Sequence, residues 1–519
     1  MNKIIIKENL FLDSVFSMTA AKELKKIEGV RRATLVMGTD LNKTVLAELG
    51  ALSPEAQAAG PNTLIIALDV DEEGLEQAAE KRLEELLAGS KENNSDDKKT
   101  EYKSSDAAYD AIPETNLVVI SVAGEYAGEE ARKALEHGAN VFIFSDNVPL
   151  EDEVELKQLA RDKGLLVMGP GCGTAVIGGV SVGMMSKVSR GRIGIVAASG
   201  SGLQEVAVLV DRAGEGISQA IGTGGRDLSK EVGGITMLQG IEYLKNDPET
   251  DVIVLISKPP HPETAEKICR TVSETKKPSV VYFLGGDRSE VEAYGLYSAA
   301  SLEDAAMIAV ALEKKQALSQ DDFQDSIEKI YQAQASEEAA KISASQKYLR
   351  GLFCGGTHSE EAVLLLKKMV PELRSNIAFG GAIPLDDPQK SEGHCLVDLG
   401  DEVFTRGRPH PVIDPSVMID RLIADGTDPE TAVILFDLLL GHGCHEDPVG
   451  VILDALKEIR SKSEAEGCHI CIVCDLCGSD KEPQNYSAQK KALEELGVIV
   501  FNSNSRAAIF AGMVIESKV

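Results

Sequence analysis

The sequence contains no tryptophan, and aromatic residues make up only 4% of its 519 residues. Packing therefore depends on Ala, Val, Ile, Leu and Gly, a composition that suits parallel sheets buried on both faces. No stretch approaches the ~20 apolar residues that a membrane span needs. Residues 1–10 carry charges around a short apolar run, which is unlike a secretory signal. We expect a cytoplasmic protein that contacts no membrane.

Positive charge is also scarce, since 53 Lys and Arg stand against 83 Asp and Glu, giving a net charge of −30. Without a basic stripe such a chain is repelled by a phosphate backbone, so we expect no nucleic-acid partner. The nine cysteines are an odd number without secretory context, which favours reduced thiols. Cys468, Cys471, Cys474 and Cys477 have the spacing of a cluster-binding run. A strand predicted over 469–474 would send them to alternate faces, so we predict no metal site.

Strands alternate with helices along most of the chain, which predicts an α/β fold of parallel βαβ units in three layers. We expect three such α/β domains, at 1–190, 191–316 and 347–519. The polar stretch at 317–346 is predicted to be a helical linker between the last two domains. The low-complexity stretch at 89–112 is predicted to be a flexible insert.

Ligands bind open α/β sheets at the carboxyl ends of the strands, so strand-to-helix turns are the candidate sites. Ser199-Gly200-Ser201-Gly202 follows a strand and opens a helix, where exposed N–H groups and the helix dipole favour an anion. Gly355-Gly356-Thr357 and Gly441-His442-Gly443 are predicted to have the same position in the last domain. Facing helix N-termini can clamp one phosphate or carboxylate, although each motif alone can be a plain tight turn. For His358, His442 and His445 we expect structural or solvent-facing roles.

Charged side chains accompany these turns. Gly224-Gly225-Arg226 adds a guanidinium suited to carboxylate or phosphate, and Lys258 ends a buried strand where its ammonium can reach into the cleft. Arg406, Arg408 and His410 lie within five residues, so the arginines can neutralise a small dianion while the histidine transfers a proton. The alternatives are a surface turn, an exposed loop lysine and a chain crossing shaped by prolines.

The segments that carry these turns resemble the succinyl-CoA ligases. Residues 144–179, with the run GPGCGT, resemble the end of the alpha subunit's CoA-binding domain, and residues 191–225 resemble the next alpha-subunit domain. Residues 349–514, with VDLGD, LLGHGCHEDP and GSDKEPQNYSAQ, resemble the carboxy-terminal domain of the beta subunit, without its ATP-grasp portion. Together with GGRDLSKEVGG, SKPP and GRPHPVIDP, this fused arrangement is similar to that of the FdrA family. The resemblance implies a Rossmann-like, CoA-binding-type domain at 1–190 and two flavodoxin-like domains at 191–316 and 347–519.

Three departures from the ligase pattern bear on function. Residues 283–301, which match the loop of the ligases' phosphorylated histidine, contain no histidine. Ser257-Lys258-Pro259 stands where the ligases have the Glu that orients it, and no Gly-rich CoA loop is recognisable in 1–60. CoA binding is therefore left open, while phosphate remains the expected co-substrate.

The resemblance to FdrA implies a subunit of a carbamoyl-transferring enzyme that acts in anaerobic allantoin breakdown with companion subunits, as part of an oligomer. Oxalurate and phosphate would give oxamate and carbamoyl phosphate. On this interpretation Lys258, Arg226, Arg408 and His410 are catalytic, and Arg406 and Arg408 bind the carboxylate. The alternatives are an NDP-forming acyl-CoA synthetase and a non-catalytic assembly subunit that binds an anion or CoA.

Overall fold

The computed structural model describes residues 2–8, 10, 12, 14–48, 50–60, 63–72, 74–92, 100–318, 322–405 and 409–518. The chain forms two compact units, Met1–Lys103 and Ser104–Val519. Among the described residues, no helix combines the length and the apolar character that crossing a membrane requires.

The first unit is a small antiparallel sheet with helices. Its elements are β1 (Asn2–Lys7), α1 (Ser14–Lys25), β2 (Val30–Met37), α2 (Asp40–Glu48), α3 (Pro54–Ala58), β3 (Leu64–Val70) and α4 (Leu75–Glu92). The strand order is β1-β3-β2, and β3 runs antiparallel to both neighbours. Alternate residues of β3 enter two cores, because Leu64 and Ile66 pack with Leu24 and Leu83 whereas Ile65 packs with Leu46.

This unit differs from the predicted Rossmann-like domain at 1–190. The strands and helices occur in the predicted order, but β3 inserts between β1 and β2 and makes the sheet antiparallel. A periodicity of strands and helices does not reveal this arrangement, since a split βαβ unit has the same alternation as a parallel pair. The unit also ends at Lys103, well before residue 190.

The second unit begins with a three-stranded parallel sheet in the order β4-β5-β6. Its elements are α5 (Ser105–Ala111), β4 (Leu117–Ile120), α6 (Gly124–His137), β5 (Asn140–Ile143), α7 (Leu150–Lys163) and β6 (Val167–Met168). The predicted flexible insert at 89–112 is thus partly helical, since α4 continues to Glu92 and α5 begins after its N-cap Ser104. Residues 93–99 of that insert lie outside the described residues.

A seven-stranded sheet follows, in the order β13-β12-β11-β9-β10-β7-β8. Its elements are β7 (Thr174–Ile177), β8 (Val180–Gly183), β9 (Arg190–Ala198), α8 (Gly200–Arg212), β10 (Ile217–Gly222), α9 (Ile235–Asn246), β11 (Val252–Ser257), α10 (Pro262–Ser273), β12 (Ser279–Phe283), α11 (Arg288–Glu292), β13 (Tyr297–Ser298) and α12 (Leu302–Glu313). Five strands are parallel, while the β7–β8 hairpin joins β10 antiparallel. This sheet therefore begins at Thr174, before the predicted boundary at 191.

The second seven-stranded sheet, in the order β16-β15-β17-β14-β18-β19-β20, is parallel at each described pair. Its elements are α13 (Phe323–Ala339), β14 (Tyr348–Phe353), α14 (Gly356–Leu366), β15 (Arg374–Ser375), β16 (Ile383–Pro384), β17 (Cys395–Asp398), α15 (Glu402–Thr405), α16 (Ser416–Gly426), β18 (Thr431–Leu439), α17 (Pro448–Ala465), β19 (Cys471–Cys477), α18 (Tyr486–Glu494), β20 (Ile499–Phe501) and α19 (Asn504–Lys518). The α/β class predicted from the alternation of strands and helices is confirmed.

Helix α13 is not the linker predicted at 317–346. Its Ile327 and Ala335 are buried in the same core as Phe510 of α19, and Tyr331 makes edge contacts with Phe501 and Phe510. The helix looked polar because its buried face is narrow and contains two alanines, which contribute little to an apolar periodicity.

Candidate anion-binding site

A cavity of about 690 Å³ lies where the carboxyl ends of strands from both seven-stranded sheets meet. The ends of β9, β10 and β18 contribute Ala198, Gly222 and Leu439, and β17 contributes Asp398. This is the edge at which open parallel sheets place their ligands. The volume falls within the range of small-molecule sites, roughly 300–1,000 Å³.

Two helix N-termini meet in the wall of this cavity. Ser199 caps α8, and its Oγ accepts a hydrogen bond from the Gly202 N–H at 3.0 Å. The same Oγ lies 2.7 Å from Oγ1 of Thr357 in the first turn of α14. A Cβ added to Gly355 would lie 2.9 Å from Cβ of Ser201, so the close approach depends on glycine there. The predicted turns at 199–202 and 355–357 are thus brought together.

Lys258 follows β11 and contributes a cation beside α14. Its Nζ donates to Oε1 of the buried Glu360 at 2.7 Å, while about a third of the lysine side chain stays exposed to the cavity. Burial raises the pKa of Glu360, and the Lys258 ammonium opposes that shift. A Cβ on Gly356 would lie 3.5 Å from Nζ of Lys258 and 2.9 Å from Oδ2 of Asp398. The start of α14 is therefore flanked by one ammonium and one carboxyl group.

Asp398 and His410 are the two titratable side chains that line the cavity on either side of Gly400. Burial raises the pKa of Asp398 to about 7, although its Oδ1 accepts a hydrogen bond from the Gly400 N–H at 2.8 Å. Burial lowers the pKa of His410, so its imidazole is neutral near pH 7. A Cβ on Gly400 would meet Nε2 of His410 at 2.7 Å, which explains the glycine between them. A carboxyl group that titrates near neutrality and a neutral imidazole suit general acid–base chemistry.

The arginines predicted beside His410, Arg406 and Arg408, lie outside the described residues. Their predicted binding of a carboxylate stays a prediction.

Arg226 lines the cavity, but two of its donors are committed elsewhere. Its Nε donates to Oε2 of Glu153 at 2.9 Å and its Nη2 donates to the Val148 carbonyl at 2.8 Å. Gly224 and Gly225 line the cavity beside it, and Gly224 has a φ of 86° with the Pro170 carbonyl 2.5 Å from where a Cβ would stand. Arg226 thus ties the Gly-rich turn to α7 while presenting part of its guanidinium to the cavity.

Glu153 also belongs to a buried group of ion pairs with Lys157 and Asp227, which the sequence did not predict. Lys157 is fully buried, and its Nζ donates to Oε1 of Glu153 and to Oδ1 of Asp227, both at 2.8 Å. Asp227 in turn accepts the backbone N–H groups of Thr236 and Met237 at the start of α9. In the sequence, Glu153 and Lys157 have the four-residue spacing of an ordinary exposed helix pair, so nothing distinguished them.

The third predicted turn, at Gly441, His442 and Gly443, is not a helix N-terminus. Helix α17 begins only at Pro448, with Asp447 as its N-cap. Gly441 instead packs against the Met184 carbonyl and accepts a hydrogen bond from Nε2 of Gln484 at 2.9 Å, while His442 is exposed. From this loop Cys444 lines the cavity. A Gly-rich run after a strand predicts a turn but does not fix how many residues separate it from the helix.

Comparison with known proteins agrees with this architecture. Residues 352–514 match the family described as CoA-ligase, and residues 188–285 match the CoA binding domain. The CoA-binding match therefore covers strands β9 to β12 of the first seven-stranded sheet. The prediction had placed the CoA-binding-type domain at 1–190. Residues 1–104 match the domain described as AllF, heavy metal-associated.

Over 509 residues the chain is 41% identical to the uncharacterized protein YahF of Escherichia coli (strain K12), and 98% of each chain is covered. The chain belongs to the YahF family of succinyl-CoA ligase-like proteins. Part of the chain is also similar to subunits of succinate–CoA ligases. Succinate–CoA ligase subunits alpha from Aquifex aeolicus (strain VF5) and from Methanothermobacter thermautotrophicus are 31% and 27% identical over 184 and 175 residues. These matches cover 34% and 33% of this chain and 59% and 58% of those subunits.

Solved structures show weaker likeness to this YahF-family chain. An ATP citrate lyase from Methanothrix soehngenii in complex with citrate and coenzyme A has 17% identity and a TM-score of 0.37 over 43% of each chain. At that score the similarity supports no argument about the site.

The heavy-metal description of residues 1–104 does not fit the residues present. This stretch contains neither cysteine nor histidine, whereas soft heavy metals prefer thiolate and imidazole ligands. We assign no metal to this unit.

Proposed function

We propose that this YahF-family chain is the acyl-transferring part of an acyl-CoA synthetase of the NDP-forming type, and that its cavity binds phosphate. The observation that carries the proposal is the contact of Ser199 with Thr357, which joins two helix N-termini beside the Lys258 ammonium. Helix N-termini bind anions through their N–H groups and dipole, and a lysine adds a full charge. The CoA-binding and CoA-ligase matches supply the class of partner substrate.

The step assigned to the cavity is the exchange of an acyl-CoA and phosphate for an acyl phosphate and CoA. A phosphate oxygen attacks the thioester carbon, the carbon–sulfur bond breaks, and the sulfur leaves with a proton. The helix N-termini and Lys258 stabilise the tetrahedral oxyanion, a role worth several kcal/mol at such sites. On this proposal Asp398, whose pKa is raised to about 7 by burial, supplies the proton.

The proposal requires a companion subunit. The sequence resembles ligase domains without an ATP-grasp portion, and residues 283–301 contain no histidine to carry a phosphoryl group. Passing the phosphoryl group of an acyl phosphate to a nucleotide would therefore take a second protein. We propose that the chain acts in an assembly with such a partner.

Carbamoyl transfer is a second candidate, favoured by that missing histidine. If phosphate reacts directly with a carbonyl carbon, the same oxyanion site can act on the ureido group of oxalurate. The carbon–nitrogen bond would break to give carbamoyl phosphate and oxamate, and the leaving nitrogen would take a proton from Asp398 or His410. Arg406 and Arg408 would bind the oxamate carboxylate on this proposal.

The test offers the purified chain, with and without proteins encoded beside its gene, two substrate sets in parallel. One contains succinyl-CoA or acetyl-CoA with phosphate, and the other contains oxalurate with phosphate. Acyl or carbamoyl phosphate is detected by ³¹P NMR and free CoA by its thiol. Lys258→Met should abolish product, whereas Lys267→Met, which changes an exposed lysine on α10, should not.

The outcomes separate the two candidates. Acyl phosphate and free CoA formed in the first mixture support the synthetase, and carbamoyl phosphate formed only in the second supports the carbamoyltransferase. Product formation that survives Lys258→Met would remove the cavity from the reaction, and no product in either mixture with the companions present would contradict both.

A further inference from the structure

Five ionisable side chains converge in the interior beneath the two helix N-termini. Glu205 lies on α8, His358 and Glu361 on α14, Asp437 on β18 and Asp475 on β19, and each is at most 1% exposed. The cluster thus contains four carboxyl groups and one imidazole. Arg212, whose charge also acts on Asp475, donates to the backbone carbonyls of Asn502 and Gly478 instead. Carboxylates persist at such depth when they are paired with cations or coordinate a metal.

Two of these carboxylates are satisfied by hydrogen bonds. Asp437 accepts the backbone N–H of Cys354 at 2.5 Å and that of Gly355 at 3.0 Å. Glu361 accepts the Leu302 N–H at 2.7 Å and Nδ2 of Asn504 at 2.8 Å. Neither needs a further partner.

The other two carboxylates, Glu205 and Asp475, have oxygens without a hydrogen-bond partner near the imidazole. Neither carboxylate oxygen of Asp475 has a hydrogen-bond partner, and the same is true of Oε2 of Glu205 and Nε2 of His358. The last two atoms are 2.8 Å apart, and Oδ2 of Asp475 lies 3.6 Å from Nδ1 of the same ring. One ligand atom from each of Glu205, His358 and Asp475 lies within 4.8 Å of the others. The unsatisfied atoms thus belong to the three side chains that converge on one point.

Asp437 fixes the orientation of the histidine ring. Its Oδ2 lies 3.0 Å from Nδ1 of His358, which donates to it in the tautomer that leaves the Nε2 lone pair free. A carboxylate that holds the far nitrogen of a histidine is the usual outer partner of a metal ligand, because it sets the tautomer and increases ligand basicity. Glu205 is held similarly, since its Oε1 accepts the Asn504 N–H at 3.0 Å.

We propose that Glu205, His358 and Asp475 bind one divalent transition-metal cation such as Zn²⁺ or Mn²⁺. One imidazole and two carboxylates are a ligand set that both ions accept, whereas Mg²⁺ and Ca²⁺ prefer oxygen alone. The ion links α8, α14 and β19. It also places positive charge within the first two turns of the two helices whose N-termini line the cavity. The site does not depend on the reaction proposed for the cavity.

The experiment measures metal content and metal-dependent stability of the full-length chain. Protein stripped with chelator is incubated with Zn²⁺ or Mn²⁺, desalted, and analysed by mass spectrometry for metal per chain. We expect about one ion per wild-type chain and a rise in the unfolding midpoint. Asp475→Asn and Glu205→Gln, which keep side-chain size, should weaken binding at least tenfold. Asp454→Asn, at a side chain that is 94% exposed, should bind as wild type does.

Three results would overturn the proposal. One is a wild-type chain that retains neither ion and whose unfolding midpoint responds to neither. Another is unchanged metal content in both Asp475→Asn and Glu205→Gln, which would place the ion elsewhere. The third is a thiolate charge-transfer band in the Co²⁺ complex, which would point to the cysteines rather than to nitrogen and oxygen ligands. Circular dichroism of each variant separates lost binding from lost folding, and a variant that fails to fold is replaced by His358→Gln in the same assay.

Discussion

Ser199 and Thr357 are 158 positions apart in sequence, yet their hydroxyl oxygens lie 2.7 Å from each other. Ser199 ends the turn after β9 and caps α8, whereas Thr357 lies in the first turn of α14. The contact therefore joins the two seven-stranded sheets at the point where their helix N-termini point into one cavity. The distance between the N-termini of α8 and α14 is therefore set by the packing of the two sheets.

Ser199→Ala tests this contact. The variant loses the N-cap hydrogen bond to Gly202 and the contact with Thr357, so we expect about 1 kcal/mol less stability and weaker phosphate binding. Ser301→Ala is the matched control, since Ser301 caps α12 by accepting the Asp304 N–H but does not line the cavity. Denaturant unfolding and phosphate titration of both variants distinguish the roles. Equal loss of phosphate affinity in both would show that capping alone, and not the cavity, is responsible.

Lys258 and Glu360 should affect anion binding in opposite directions. Lys258→Met removes the ammonium beside α14, and we expect phosphate affinity to fall on the order of tenfold, or about 1.4 kcal/mol. Glu360→Gln removes the carboxylate that now pairs with Lys258 at 2.7 Å, which leaves the ammonium free to attract the anion. Affinity should therefore rise in this variant. Isothermal titration with phosphate measures both, and a loss of affinity in Glu360→Gln would mean that the carboxylate positions the lysine for binding.

Asp398 should make anion binding depend on pH. Burial raises its pKa from the ordinary 3.8 to about 7, so the side chain changes from neutral to anionic between pH 6 and 8. Sulfate keeps its charge over this range, and its affinity should fall as pH rises. Burial lowers the pKa of His410 below its ordinary value, so the imidazole is neutral at the upper end of this range. Asp398→Asn should flatten the profile, and an unchanged slope in that variant would assign the titration to another group.

The same carboxyl group has a predictable effect on stability. Because its pKa is higher in the folded than in the unfolded chain, the folded chain binds more protons between about pH 4 and pH 7. The contribution of Asp398 to the free energy of unfolding is therefore largest below pH 4 and decreases as pH rises toward 7. The difference in stability between Asp398→Asn and wild type should grow in favour of the variant over that window, as measured by urea unfolding at each pH.

Local sequence patterns predicted the strand-to-helix turns better than they predicted the domains. Small residues after a buried strand are sufficient to identify the turns at Ser199 and Gly355, because the physics of a helix N-terminus depends only on nearby residues. The order of strands in the first unit depends on which strand inserts between two others, and no local pattern encodes that. The run at Gly441 shows the limit of such patterns, since three further residues separate Gly443 from Asp447, the N-cap of α17.

The sequence contains a partial signal for the buried cluster of ionisable side chains. Asp437 and Asp475 each interrupt an apolar strand, in AVILFDLLL and CIVCDLC, and the two strands pair so that these residues stand side by side. An aspartate in the middle of a fully buried parallel strand indicates a special environment from sequence alone. That His358 and Glu205 meet Asp475 depends on the packing of α8 and α14, which no spacing in the sequence reveals.

Helix α13 offers the last test, because its packing contradicts the linker predicted from its polar sequence. Ile327 is 2% exposed and belongs to the core around Phe510, whereas Ile330 on the same helix is 62% exposed. Ile327→Ala should destabilise the chain by about 2–4 kcal/mol, since it removes buried methyl groups and leaves a cavity. Ile330→Ala should change stability by less than about 0.5 kcal/mol, as is usual at the surface. Equal unfolding midpoints for the two variants in guanidinium would show that α13 does not pack on the core in solution, and the helix would then be a linker as its composition suggests.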